Sequence, residues 1–125
     1  MTLQKTLQIT ILCLFFASCG QLNPNPIAIN DVDSLVIYYH FPDDTVAPPP
    51  RKLSLISTKK FIDTWNSSHD SEQRKYYPNY FLTIYLKNKT QREFRATEQV
   101  IKEQTDESFD FGEKDFFDKL WEENK

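Results

Sequence analysis

Beyond residue 30 the apolar positions repeat with two periods, and each predicts a different kind of element. Tyr80, Leu82, Ile84 and Leu86 alternate with Phe81, Thr83, Tyr85 and Lys87, a period of two that sends successive side chains to opposite faces of a strand. Asn88-Lys89 offers a turn from there into a further strand over 92–97. Residues 35–41 are β-branched and aromatic and stop at Pro42, so they predict a strand too. Residues 52–56 alternate Leu53 and Leu55 with polar positions and predict a second strand, while 100–103 and 108–111 predict two short ones. Helical spacing occurs twice. Behind a Ser57 or Thr58 cap, Phe61, Ile62 and Trp65 share a face of 59–67; in 113–123, Phe116, Phe117, Leu120 and Trp121 do, with acids in the first turn to suit the helix dipole. Residues 68–78 are polar and predict a loop. The expected fold class is α+β, a small antiparallel sheet with two amphipathic helices packed on one face. The segments KKFIDTWN and KDFFDKLWE invite comparison as a repeated strand-strand-helix unit, but the match is short and a shared packing rule for amphipathic helices explains them better.

The first thirty residues follow neither period. Met1 to Gln8 carries one charge, Lys5, and the run from Ile9 to Ala17 is almost wholly apolar before ending on small residues. This is the layout of a signal peptide. At roughly 1.5 Å per residue the run falls far short of a hydrocarbon core of about 30 Å, so it predicts no membrane span. Phe16-Ala17-Ser18-Cys19 resembles the lipobox of bacterial lipoproteins, and the phenylalanine is similar to the relaxed form found in Bacteroidota. The resemblance implies that the Cys19 thiol receives a diacylglyceryl group, that cleavage falls before it, and that the new N-terminus is acylated as well, palmitate-like chains included. Two or three chains at roughly 0.8 kcal/mol per buried CH₂ would hold a small domain firmly on a bilayer. The expected organisation is a signal peptide over 1–18, the lipidated cysteine and a semi-extended Gly/Asn/Pro tether over 19–30, and one domain over 31–125. No acid precedes Asp31, and the resemblance then implies an outer-membrane anchor facing the periplasm.

The cysteines are consistent with that address. Cys13 would leave with the signal and Cys19 would carry lipid, so the domain has no thiol for a disulfide, a zinc site or a nucleophile. Charge is uneven: 51–92 holds nine Lys/Arg against three Asp/Glu, and 93–125 eleven acids against five bases. With the bases scattered and a net charge of −3, the expectation is two complementary halves facing each other or solvent, and no nucleic-acid partner.

Candidate chemistry is sparse. His40 and His69 lack ligand spacing, and Asp43, Asp44, Asp110 and Asp115 sit beside turns or a helix start, where acids serve structure. There is no Gly-rich phosphate loop, nucleophile elbow or Cys nucleophile. The expectation is a non-catalytic chain without cofactor or metal. Trp65, Arg74, Lys75, Tyr76 and Tyr77 would form an aromatic and basic rim for a protein partner if the loop folds over the helix end, or would complete the core instead. Asp33-Ser34-Leu35 and Asp44-Thr45-Val46 resemble the Bacteroidota O-glycosylation acceptor, which would make Ser34 and Thr45 modification sites. Two functions stand open: a membrane-anchored accessory module of an envelope complex, and an immunity or inhibitor protein against a periplasmic toxin or hydrolase.

Overall fold

The computed structural model describes residues 22–40, 46–71, 76–105 and 107–125. Among these residues seven strands, β1 (Val32–Tyr39), β2 (Arg51–Lys52), β3 (His69–Ser71), β4 (Tyr80–Leu86), β5 (Gln91–Thr97), β6 (Val100–Lys102) and β7 (Ser108–Asp110), form one sheet in the order β2-β1-β4-β5-β6-β7-β3. Every pairing is antiparallel. Two helices, α1 (Leu55–Ser67) and α2 (Phe116–Glu123), complete an α+β fold that is mostly sheet.

Alternation decides the core. Ile37, Leu82 and Phe94 are cross-strand neighbours, as are Leu35 and Ile84, and all five are buried. Tyr80, Ala96, Ile101 and Phe109 extend the same register across to β7. From α1, Phe61 and Trp65 meet Phe94 edge-on, with ring centroids 5.7 and 5.0 Å away, and Trp65 also reaches Phe109 at 5.2 Å. From α2, Phe117 and Trp121 lie 6.5 and 6.3 Å from the Tyr80 ring. Such offset and edge geometries suit the ring quadrupoles and fill volume without disulfides. Asn124 joins the helices: its side-chain oxygen accepts from Ser54 N at 2.8 Å, while its amide donates to Ser57 Oγ at 3.1 Å and Leu120 O at 2.7 Å.

Several boundaries differ from expectation. The strand expected over 52–56 shortens to Arg51–Lys52, because Ser54, rather than Ser57 or Thr58, caps α1 by accepting from Ser57 N at 3.1 Å. Leu55 and Ile56 therefore ride exposed on the first helical turn, at 78% and 83% exposure. Part of the predicted loop 68–78 is a strand, β3, paired with β7; His69-Asp70-Ser71 has no apolar alternation to announce it. Helix α2 starts at Phe116 rather than 113, after Gly112 and Asp115 take positive φ of 74° and 60°, the left-handed region that Gly and Asp tolerate best. The 88–89 turn is as expected: Asn88 Oδ1 accepts from Thr90 N at 3.0 Å, with Lys89 at φ 71°. No twofold repeat of strand-strand-helix units follows from the topology of the described residues, since β2 and β3, the strands flanking α1, occupy opposite edges of the sheet.

The expected tether is the largest departure. From Asn23 onward it is part of the fold. Asn23 N donates to Ser68 O at 3.0 Å, and its side-chain amide to Trp65 O and Ser68 Oγ, both at 3.3 Å. The Trp65 indole donates to Asn25 O at 2.7 Å. Asn66 accepts from Ile27 N at 2.7 Å and donates to Ile27 O at 2.8 Å, imitating a strand neighbour, and the Ile27 side chain is buried. Arg92 adds bonds to Asn25 O and Pro26 O. The body of the domain therefore includes Asn23, Asn25 and Ile27, which lie within the expected tether.

Candidate functional site

The same alternation that buries Tyr80, Leu82 and Ile84 turns Phe81, Thr83 and Tyr85 to the other side of β4. Register continues that side across four strands. Tyr38 faces Phe81, Phe81 faces Arg95, and Arg95 faces Lys102, making one row of two aromatics and two cations. Beside it run Val36, Thr83 and Glu93, then Ser34, Tyr85 and Gln91. His40 stands edge-on to Phe81 with centroids 5.4 Å apart. The nearby Tyr85 hydroxyl, together with burial, raises the Tyr38 phenol above its ordinary range.

Tyr76 closes one end of the row. Its hydroxyl donates to Arg95 O at 2.8 Å, and the Lys102 ammonium lies 5.0 Å from its ring centroid, within cation–π range. Burial pushes this phenol well above the usual tyrosine value, so it stays a neutral donor. A groove of about 350 Å³ opens between Tyr38, Phe81, Glu93, Arg95, Glu103 and Gln104. A second, about 320 Å³, lies between Tyr76, Tyr77, Glu98, Gln99 and Asp110. Both are open depressions on a sheet surface. Their rims mix ring faces, hydroxyls and charged side chains.

The residues singled out from sequence separate. Trp65 is 0% exposed and packs in the core, which removes it from any rim. Tyr76 is half-buried beside Lys102, whereas Tyr77 is 94% exposed. Arg74, Lys75, Thr45 and Cys19 lie outside the described residues, as do Asp43 and Asp44. Ser34 is half-buried in β1, opposite Tyr85 and next to fully buried Leu35. His69 is exposed on β3, far in register from His40, and Asp110 is occupied by Gln99 Nε2 at 2.9 Å and Gly112 N at 2.7 Å. Among the described residues no three His, Cys, Asp or Glu side chains converge as a metal site would require, and no helix is long and apolar enough to cross a membrane. The basic and acidic halves do meet: Arg92 forks onto Glu103 at 2.8 and 2.7 Å, and Lys60 lies 4.0 Å from Glu113.

Two features escaped sequence reasoning. Phe81, Arg95 and Lys102 are far apart along the chain, and only pairing register brings them into one row. The Arg51 guanidinium stacks 3.6 Å from the Trp121 ring and donates to Trp121 O at 2.7 Å; its one sequence signal was an arginine placed just after three prolines. No protein-family model matches the chain, and neither a curated protein nor a solved structure matches it.

Proposed function

We propose that this chain is a lipid-anchored envelope protein whose folded domain binds a protein partner and catalyses nothing. The anchor is a diacylated Cys19, and the domain faces the periplasm from the outer membrane. The packing of both helices against one face of the sheet is supported by the ring contacts of Phe61 and Trp65 with Phe94 and of Trp121 with Tyr80. That arrangement leaves the opposite face for the partner. The observation that carries the reading is the cross-strand row Tyr38, Phe81, Arg95 and Lys102, extended by His40 and Tyr76. Aromatic rings and arginine held on a rigid sheet lose little side-chain entropy on binding and account for most of the energy in many interfaces.

An accessory role in a resident envelope complex follows most simply from an anchor joined to such a surface. Cross-linked cells carrying the tagged lipoprotein test it. Wild type should recover one stoichiometric partner, and Cys19→Ala or Phe81→Ala with Arg95→Ala should lose it. Recovery undiminished by the sheet-face substitutions would overturn this assignment of the surface. Failure of the wild type to recover any resident protein, with a toxin or hydrolase inhibited in its place, would replace the accessory role by inhibition.

A further inference from the structure

Four residue steps separate Cys19 from Asn23, which is fastened to the body through its backbone and its side chain. Fully extended, they reach roughly 13–14 Å. A diacylglyceryl cysteine keeps its glycerol at the edge of the hydrocarbon core, so the headgroup layer takes about 5–8 Å of that reach. The remainder is less than the roughly 10–12 Å width of one helix. Resting on the Cys19 anchor proposed above, we infer that the domain is docked directly against phospholipid headgroups with the β3 edge of the sheet turned toward the bilayer.

The place where the chain enters fixes which surface docks. Leu22 bridges His69 on the outer side of β3, the last strand, and Asn23 holds the carboxyl end of α1 through Trp65 O and Ser68. Around that point Pro24, Asn25, Ser67, His69 and Asp70 are exposed. Asn25 and His69 present an amide and an imidazole, groups able to donate hydrogen bonds to lipid phosphates. The opposite edge is β2, six strand spacings or about 29 Å away. Exposed Leu55 and Ile56 follow shortly after it, and so would face away from the membrane. The strap formed by Asn23, Asn25 and Ile27 makes the difference: unfastened, segment 20–31 would let the domain swing freely.

The test uses the natively acylated protein in phosphatidylcholine nanodiscs containing a nickel-chelating lipid. After signal removal and acylation, one introduced cysteine is the sole thiol. Ser67→Cys, at the exposed end of α1 beside the strap, and Lys52→Cys, on β2, are spin-labelled separately, and relaxation by the headgroup nickel is compared. The expected result is relaxation several-fold stronger at 67 than at 52, collapsing when a Gly/Ser segment of about twelve residues is inserted after Gly20. That insertion lies before Leu22 and the strap in the chain. Intact mass is read on the same samples. Acylated protein with equal relaxation at both positions, or with a difference that survives the insertion, overturns the docking while leaving the anchor in place. A mass without acyl addition at Cys19 overturns the anchor and the docking with it.

Discussion

The two sides of strand β4 are built from similar residues and do different work. Tyr80, Leu82 and Ile84 are buried on one side, and Phe81, Thr83 and Tyr85 are partly exposed on the other. Both sides are aromatic and β-branched, so hydrophobicity alone does not distinguish them. What differs is company. The buried side sets Tyr80 against the Phe117 ring of α2 and pairs with Leu35, Ile37 and Tyr39 on β1 and with Ala96, Phe94 and Arg92 on β5. The other side meets Arg95, Lys102, Glu93 and the phenols of Tyr38 and Tyr76, all of which keep polar atoms at the surface. An aromatic row set among charges stays at the surface, whereas Tyr80, Leu82 and Ile84 are used in the core.

Substitution at the centre of the buried side should break the fold. Phe94 touches Phe61 and Trp65 and is 1% exposed, so Phe94→Ala removes transfer energy and leaves a cavity. The expected loss is about 3–5 kcal/mol, a large part of a typical stability of about 5–15 kcal/mol, read as a lower midpoint in urea. Next in size is the strap. Asn66→Ala strips Ile27 of both its backbone partners, and the expected loss is about 1–3 kcal/mol. Faster proteolysis near residue 27 should accompany it; an unchanged cleavage pattern would count against the strap as part of the cooperative unit.

Alkaline pH sharpens the same contrast. Burial raises the Tyr80 phenol above its ordinary value of 10.0, and its hydrogen bond to Asp118 raises it further. The folded state thus prefers the neutral phenol more than the unfolded state does. Its contribution is fully present below pH 10 and is lost as pH rises from there toward the folded-state value. Stability should fall above pH 10 with a slope no steeper than about 1.4 kcal/mol per pH unit for this one proton. Tyr38 and Tyr76 are shifted the same way, so Tyr80→Phe should flatten the decline without abolishing it. Equal slopes for the two proteins would show that Tyr80 is not the group responsible.

These effects map what the sequence could and could not disclose. The alternation in 80–87 and the stripes Phe61, Ile62, Trp65 and Phe116, Phe117, Leu120, Trp121 were legible because burial imposes a period on apolar residues. Strand β3 was hidden, since an edge strand of His, Asp and Ser needs backbone pairing and no apolar face. The strap was hidden for a related reason. Its hold comes from Asn23 and Asn66 bonding to backbone across the fold, and an asparagine in a Gly/Asn/Pro segment reads locally as a turn residue. Around the aromatic and basic row, Tyr76 and Tyr77 could be singled out as neighbours in sequence, but Phe81, Arg95 and Lys102 become neighbours only through strand order. Trp65 was ambiguous between core and rim because an amphipathic helix puts its largest ring wherever the sheet is, and here the sheet is beneath it.

The smallest effect on the fold belongs to the side that should matter most for binding. Phe81 is partly exposed and contacts His40 edge-on, with Tyr38 and Arg95 as its cross-strand neighbours. Phe81→Ala forfeits some packing, but no helix collapses onto the site and no buried polar group loses its partner. The expected change in stability is within about 1 kcal/mol. If the row is the centre of an interface, the same truncation should cost at least about 2 kcal/mol of binding, close to a thirtyfold rise in Kd for the captured partner. Measuring denaturation and binding on one preparation separates the two sides of β4 directly. A loss of stability rivalling that of Phe94→Ala would mean that Phe81 belongs to the core after all. A stable variant that binds as tightly as wild type would move the interface elsewhere, with exposed Leu55 and Ile56 at the β2 edge the next surface to probe.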